Sequence, residues 1–167
     1  MNDVKIRIRV KDLGSMEAEL YPEKAPLTVE NFLKLVRDGF FEGLIFHRVI
    51  AGFMIQGGGM NADMKEKRAS SIRGEFASNG WAQNDLKHKR GVLSMARTQV
   101  PDSASSQFFI MHADAPYLDG QYAAFGQLTD GFDILDKIAS TRTRSVGWYD
   151  DVPATPIVIE GMDILSE

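Results

Sequence analysis

The sequence predicts a single mainly β domain, a closed antiparallel barrel or sandwich of about eight short strands capped by two α-helices. Three observations carry that prediction. Apolar and polar residues alternate in several short runs, the pattern of half-buried strands. Only two stretches repeat at helical spacing, one following Pro26 and one following Gly131. Turn-forming residues separate the runs, with no strand–helix–strand rhythm and no internal repeat. The 167 residues amount to one domain, taken as 1–167, with enough chain to bury a core.

Val4, Ile6, Ile8 and Val10 alternate with Lys5, Arg7, Arg9 and Lys11, which reads as a strand with a basic outer face. After a turn at Asp12-Leu13-Gly14-Ser15, Met16, Ala18 and Leu20 alternate with Glu17 and Glu19. Opposite charges on the two outer faces suit an antiparallel pair. Val29, Phe32, Leu33 and Val36 then fall on one helical face, with Thr28 as the expected cap and Asp38-Gly39 as the stop. This helix reads as a structural lid on the sheet.

The stretch that follows organises the chain: Phe46-His47-Arg48-Val49-Ile50-Ala51-Gly52-Phe53-Met54-Ile55-Gln56-Gly57-Gly58-Gly59. Both halves alternate and Ala51-Gly52 breaks them, so two short strands joined by a bend are expected. Arg48, Met54 and Gln56 then share a surface, opposite His47, Val49 and Ile55, and the bend brings Phe53 near. The glycine run reads as a bend or a close backbone approach.

Residues 61–90 carry little periodicity, and a span that long is either functional or hides an element. Phe76 and Trp81 are expected to pin it, and Lys87-His88-Lys89-Arg90 reads as a solvated face. Strands are expected again at 91–97, 107–112 and 123–128, a short helix on Phe132, Leu135, Ile138 and Ala139, and a last strand over 156–164 with an irregularity at Gly161.

Composition excludes several classes. With 44% hydrophobic and 25% charged residues the chain lacks the signature of disorder, and the net charge of −4 argues against nucleic-acid binding. The absence of cysteine removes disulfides, thiol catalysis and the commonest structural zinc ligands. No secretory pattern opens the chain and no apolar run reaches membrane-spanning length, so cytoplasmic residence without membrane contact is expected, and nothing calls for assembly beyond a monomer.

The three histidines, His47, His88 and His112, have no ligand spacing, so no metal site is expected. Ser103, Ser105 and Ser106 lie in a turn-rich segment without a nucleophile elbow, and Asp102 there reads as a turn former. The glycines match neither a phosphate loop nor a dinucleotide fingerprint. What remains is Arg48, Gln56 and Gln107 as donors beside Phe53, Met54, Phe109 and Leu118 as apolar walls. None of these moves a proton usefully near neutral pH, so the set suits catalysis by binding and electrostatics.

The stretch from Phe46 to Gly58 resembles the most characteristic motif of the cyclophilin-type peptidyl-prolyl cis/trans isomerases. Two further matches follow in the family's order: Gly91-x-Leu93-Ser94-Met95-Ala96 with Ser106-Gln107-Phe108-Phe109-Ile110, and Leu118-Asp119-Gly120 with Phe125-Gly126. Met95-Ala96-Arg97-Thr98 and the segment around Tyr117 look like the bacterial branch. The resemblance implies a closed eight-stranded antiparallel barrel with a helix at each end, isomerase activity on X-Pro bonds in peptides and folding proteins, and no cofactor. It implies Arg48, Gln56 and Phe53 as catalytic residues. For substrate binding it implies His47, Met54, Ala96, Arg97, Gln107, Phe109, Tyr117, Leu118 and Tyr122.

Two departures stand out. Many eukaryotic members carry Trp where this chain has Tyr117, and a histidine where it has Tyr122. Both border the pocket, so cyclosporin is expected to bind weakly at most. Arg97, replacing the family's common Asn, is expected to favour acidic substrates. The rival readings are a proline-peptide binding or chaperone-like module with little turnover, and a purely structural barrel whose arginine pairs with an acidic residue.

Overall fold

A computed structural model describes residues 3–167. Eight strands form one antiparallel sheet in the order β10-β1-β2-β7-β5-β6-β4-β3. In chain order they are β1 (Val4–Val10), β2 (Gly14–Leu20), β3 (Arg48–Ile50), β4 (Met54–Gly57), β5 (Val92–Met95), β6 (Phe108–Met111), β7 (Ala124–Asp130) and β10 (Ile159–Ser166). The remaining strands, β8 (Thr143–Val146) and β9 (Tyr149–Pro153), make a separate hairpin, and the helices are α1 (Pro26–Arg37) and α2 (Phe132–Ala139).

The first hairpin follows its alternation. Val4, Ile6, Ile8 and Val10 face Met16, Ala18 and Leu20 inside the curled sheet, while Arg7 lies opposite Glu17 with a 3.6 Å ion pair. Arg9 pairs instead with Asp163 and Glu160 of β10. These ion pairs are solvent-exposed, so they set register more than stability. α1 caps one end through Phe32, whose ring lies 5.1 to 5.5 Å from those of Phe41, Phe108 and Phe125.

The structure corrects several expectations. The barrel is not closed by a continuous ladder. The sheet is an open half-barrel: its terminal strands β3 and β10 do not pair, and a seam remains where an isolated bridge, Ile45 to Val158, and hydrogen bonds from Phe46 N to Ile157 O (3.0 Å) and Ile159 N to Leu44 O (2.7 Å) join residues 44–46 to 157–159. Thr28 does not cap α1. Its backbone N–H (2.7 Å) and hydroxyl (2.8 Å) and the N–H of Leu27 (3.2 Å) all donate to the buried carboxylate of Glu75. The β8–β9 hairpin was not expected, because Thr143, Arg144 and Ser145 are all exposed and show no apolar alternation.

Residues 61–90 contain no strand and one short 3₁₀ turn, Ala77–Asn79. Phe76 is buried and the Trp81 indole donates to Lys24 O at 2.9 Å, so both fasten the span. Asn84 adds bonds to Glu75 O and Ala124 O at 2.9 and 2.8 Å. Among the described residues no helix is long and apolar enough to cross a membrane.

Candidate active site

β3, β4, β6 and β5 have two faces, and strand register decides what each carries. Val49, Ile55, Ile110 and Leu93 lie opposite one another in successive pairs and point into the main core. On the other face the register aligns Arg48 with Gln56, Gln56 with Phe109 and Phe109 with Ser94. A second apolar cluster covers this outer face, with Met54, Val92, Phe109, Met111, Leu118 and Ala124 buried in it.

The cluster leaves a cavity of about 160 Å³. Phe53, Met54, Phe109, Leu118 and Tyr122 give it apolar walls, and Arg48, Gln56, Ala96 and Arg97 complete the rim. The Arg48 guanidinium is exposed, and its Nη1 donates to Gln56 Oε1 at 3.3 Å. Gln56 Nε2 donates in turn to Gln107 Oε1 at 2.9 Å. Among the described residues no carboxylate lies within salt-bridge distance of Arg48. A Cβ on Gly59 would collide with the Gln107 side chain, so glycine at that position makes room for the amide.

Phe53 is positioned by the bend. The Gly52 N–H donates to His112 Nδ1 at 2.8 Å, and Phe53 O accepts the backbone N–H of His112 at 2.9 Å. His112 Nε2 lies 3.1 Å from Asp136 of α2, which also holds Arg90 through two oxygens at 2.8 and 3.0 Å. Arg90 keeps the Asp136 carboxyl below the usual carboxylate range.

Three of the expected site residues lie outside the cavity. Gln107 lines a neighbouring groove with Gln56, Ala96 and Arg97. Tyr117 is 70% exposed and backs Phe53, ring centroids 6.2 Å apart. His47 is buried on the far side of Arg48, edge-on to Tyr149 at 6.4 Å. Burial, and then the charge of Arg48, lower its pKa to about 4, so it is neutral at pH 7.

Arg97 does not simply add charge to the groove. Its guanidinium sits 4.7 Å from the ring centroids of both Phe76 and Tyr122 and donates to Thr98 O and Gln121 O at 2.9 and 2.6 Å. It braces the Tyr122 wall through these contacts while keeping its charge at the rim of the cavity.

His88, read as part of a solvated run, is buried beneath the cavity floor, stacked on Phe109 at 6.0 Å. Its Nδ1 lies 3.1 Å from Asp119 and its Nε2 2.8 Å from Ser94 Oγ. An ionised Asp119 can only accept, so Nδ1 carries the proton and Ser94 donates to Nε2. Burial lowers the His88 pKa against the pull of Asp119. The order resembles a nucleophilic triad, but Ser94 is fully buried and reaches no substrate; the three brace the floor. The flanking Lys87 and Lys89 are exposed, so only the pairing across the fold reveals His88. Among the described residues no three His, Asp or Glu side chains gather as metal ligands do.

Residues 5–164 match the family described as cyclophilin type peptidyl-prolyl cis-trans isomerase/CLD. The chain belongs to the cyclophilin family. This cyclophilin is 46% identical over 160 residues to "Peptidyl-prolyl cis-trans isomerase A" of Dickeya dadantii, covering 92% of this chain and 81% of that one. It is 42% identical over 160 residues to "Peptidyl-prolyl cis-trans isomerase B" of Escherichia coli, covering 90% and 94%. Its fold matches a Cryptosporidium parvum cyclophilin type isomerase with a TM-score of 0.82 at 30% identity, covering 99% of both chains. That isomerase in the presence of the dipeptide Ala-Pro matches with a TM-score of 0.80 at 31% identity, covering 98% of this chain and 99% of the other. The chain is thus a peptidyl-prolyl cis-trans isomerase of the cyclophilin type.

Proposed function

We propose that the proline ring of the substrate occupies the cavity of Phe53, Met54, Phe109 and Leu118, and that Arg48 accelerates rotation about the preceding amide. That bond resists rotation because nitrogen shares its lone pair with the carbonyl, giving a barrier of roughly 18–20 kcal/mol in peptides. As the bond twists, the prolyl nitrogen pyramidalises and its lone pair becomes an acceptor. A guanidinium there binds the twisted state better than either planar isomer. The observation that carries this reading is a guanidinium with no carboxylate partner among the described residues, at the lip of an apolar cavity.

A charge-assisted hydrogen bond contributes about 1.5–3 kcal/mol, or roughly tenfold to 150-fold in rate. The rest comes from holding the ring while the carbonyl swings and from excluding water. Gln56 and Gln107 orient Arg48 as a relay of amides, and Ala96 and Gln107 border the path of the substrate backbone. Tyr117 and Tyr122 shape one wall. Neither offers the indole or imidazole N–H of the eukaryotic pattern, which supports weak cyclosporin binding at most. The reading extends to X-Pro bonds in folding proteins, in the cytoplasm and as a monomer.

Two-dimensional exchange NMR on a short Ala-Pro peptide tests it, since uncatalysed isomerisation takes tens to hundreds of seconds. Exchange peaks are expected with the wild type and should fall by about tenfold to 150-fold in a folded Arg48→Ala variant. Shift changes without exchange in the wild type would leave a proline-binding module and refute the mechanism.

A further inference from the structure

Arg48 and Gln56 border a second groove on the side away from the proline cavity. It has a volume of about 490 Å³, with His47, Glu66, Trp148, Tyr149, Asp150 and Asp151 among its walls. Arg48 and Gln56 line both spaces, so the two adjoin at that pair.

Its walls have an unusual chemistry. Trp148 lies in the turn of the β8–β9 hairpin and is 97% exposed, so its indole contributes almost nothing to the protein's own packing. Three carboxylates and one guanidinium line it. Glu66 is partly engaged by Arg68 at 3.3 Å, but among the described residues neither Asp150 nor Asp151 is in an ion pair. Asp151 holds a left-handed backbone, φ 60, uncommon for a residue other than glycine. His47 is 4% exposed and its Nδ1 has no hydrogen-bond partner. Being neutral at pH 7, it adds no second cation to the groove.

Among the described residues Asp150 accepts only the Ser145 hydroxyl, at 2.8 Å, and an exposed indole beside aspartates without a cationic partner is the chemistry that receives a cation. An acidic guest would meet like charge, and an apolar one would strip water from the aspartates without replacing it. We propose that this groove is a second substrate subsite, taking a lysine or arginine side chain that flanks the X-Pro bond against Trp148, with Asp150 and Asp151 as counter-charges. Arg48 repels such a cation, which places it at the hairpin side of the groove rather than beside the proline. This assignment rests on the reading of the Arg48 cavity as the proline site.

The test uses blocked Ala-Pro peptides carrying Arg, Ala or Glu at positions on either side of the pair. Binding is followed on the intact protein by the indole N–H resonance of Trp148, assigned by its absence in Trp148→Ala. At one or more positions the Arg peptide should bind about fivefold more tightly than its Ala counterpart, the size of a cation–π contact plus an exposed ion pair. The Glu peptide should bind more weakly than either, and the indole resonance should move with Arg and stay still with Ala. Trp148→Ala and Asp151→Asn should each remove most of the preference and leave affinity and exchange of the Ala peptide unchanged. Asn suits the second variant because it tolerates the left-handed backbone. Equal binding of all three peptides at every position, or an Arg preference that survives both variants, would overturn the subsite. Exchange on the Ala peptide is read separately: its absence beside an intact Arg preference would sink the isomerase mechanism and leave the groove standing.

Discussion

On the proposed mechanism Arg48 acts through a charge with no carboxylate in salt-bridge distance among the described residues, held by neutral amides, so the neutrality of Gln56 is a requirement as well as its shape. Gln56→Glu keeps the size and an acceptor for Arg48 but sets a carboxylate beside it, drawing the guanidinium field away from the prolyl nitrogen. Exchange spectroscopy should show isomerisation falling by about tenfold, a change of roughly 1.4 kcal/mol in the barrier. Unchanged activity would mean that orientation alone matters. His47 gives a residue-level effect of pH. Its folded pKa of about 4 lies below the ordinary histidine value, so the unfolded chain takes up a proton first as pH falls. The stability this withholds is fully present above about pH 6.5 and is lost between there and pH 4, roughly 3 kcal/mol in all. Urea titrations at pH 7 and pH 4.5 should show the wild type losing about 2 kcal/mol more than His47→Gln; equal losses would put the acid sensitivity elsewhere. Arg48, Met54 and Gln56 were legible in the sequence because two-residue alternation fixes their face, whereas the apolar run around Phe109 does not alternate and its face follows only from the pairing with Gln56. For His47 the alternation, which sets it opposite Arg48, agrees with the structure better than the resemblance that placed it among the binding residues. The exposure of Tyr117 outside the cavity has no signal in its local sequence.

At the scale of elements, legibility follows the range of the forces. β1 and β2 are written in their alternation, and α1 in its apolar spacing. Where α1 begins is not, because the carboxylate that satisfies its first turn belongs to Glu75, 47 residues further on. That contact also explains the long irregular span over 61–90: it is held by scattered polar bonds of Glu75, Trp81 and Asn84 rather than by a periodic apolar face. Glu75→Ala removes the acceptor for three donors and leaves buried groups without partners. Chemical denaturation should show a loss of about 2–4 kcal/mol at unchanged m-value. Glu75→Gln, retaining one acceptor oxygen, should recover about half of this. Ala-Pro affinity should be unchanged in both variants, since α1 lies on the core side of the sheet. A loss of affinity in step with stability would show that the helix shapes the cavity directly.

For the whole molecule the consequential feature is that one sheet serves two apolar clusters, an inner core that sets stability and an outer one that forms the pocket, with the seam running beside both. Ile45 and Phe46, which bond to Val158 and Ile157 just ahead of β10, stand immediately before His47 and Arg48 in the chain, so β3 begins where the sheet is least continuous. Few hydrogen bonds cross there, whereas β1 is paired along its length with β2 on one side and β10 on the other. Local opening requires breaking only the bonds of the opening unit, so seam amides should exchange from a state well below the global unfolding free energy. Native-state hydrogen exchange should show the amides of Phe46 and Ile159 less protected than those of Ile6 and Ile8. A saturating Ala-Pro peptide should raise the protection of the seam more than that of β1, because on the proposed reading Arg48 holds the ligand two residues from the seam and so favours its closed state. Equal protection of the two sets without ligand would mean that the bridge closes the barrel as firmly as a ladder does, and that Arg48 gains no freedom from its place beside it.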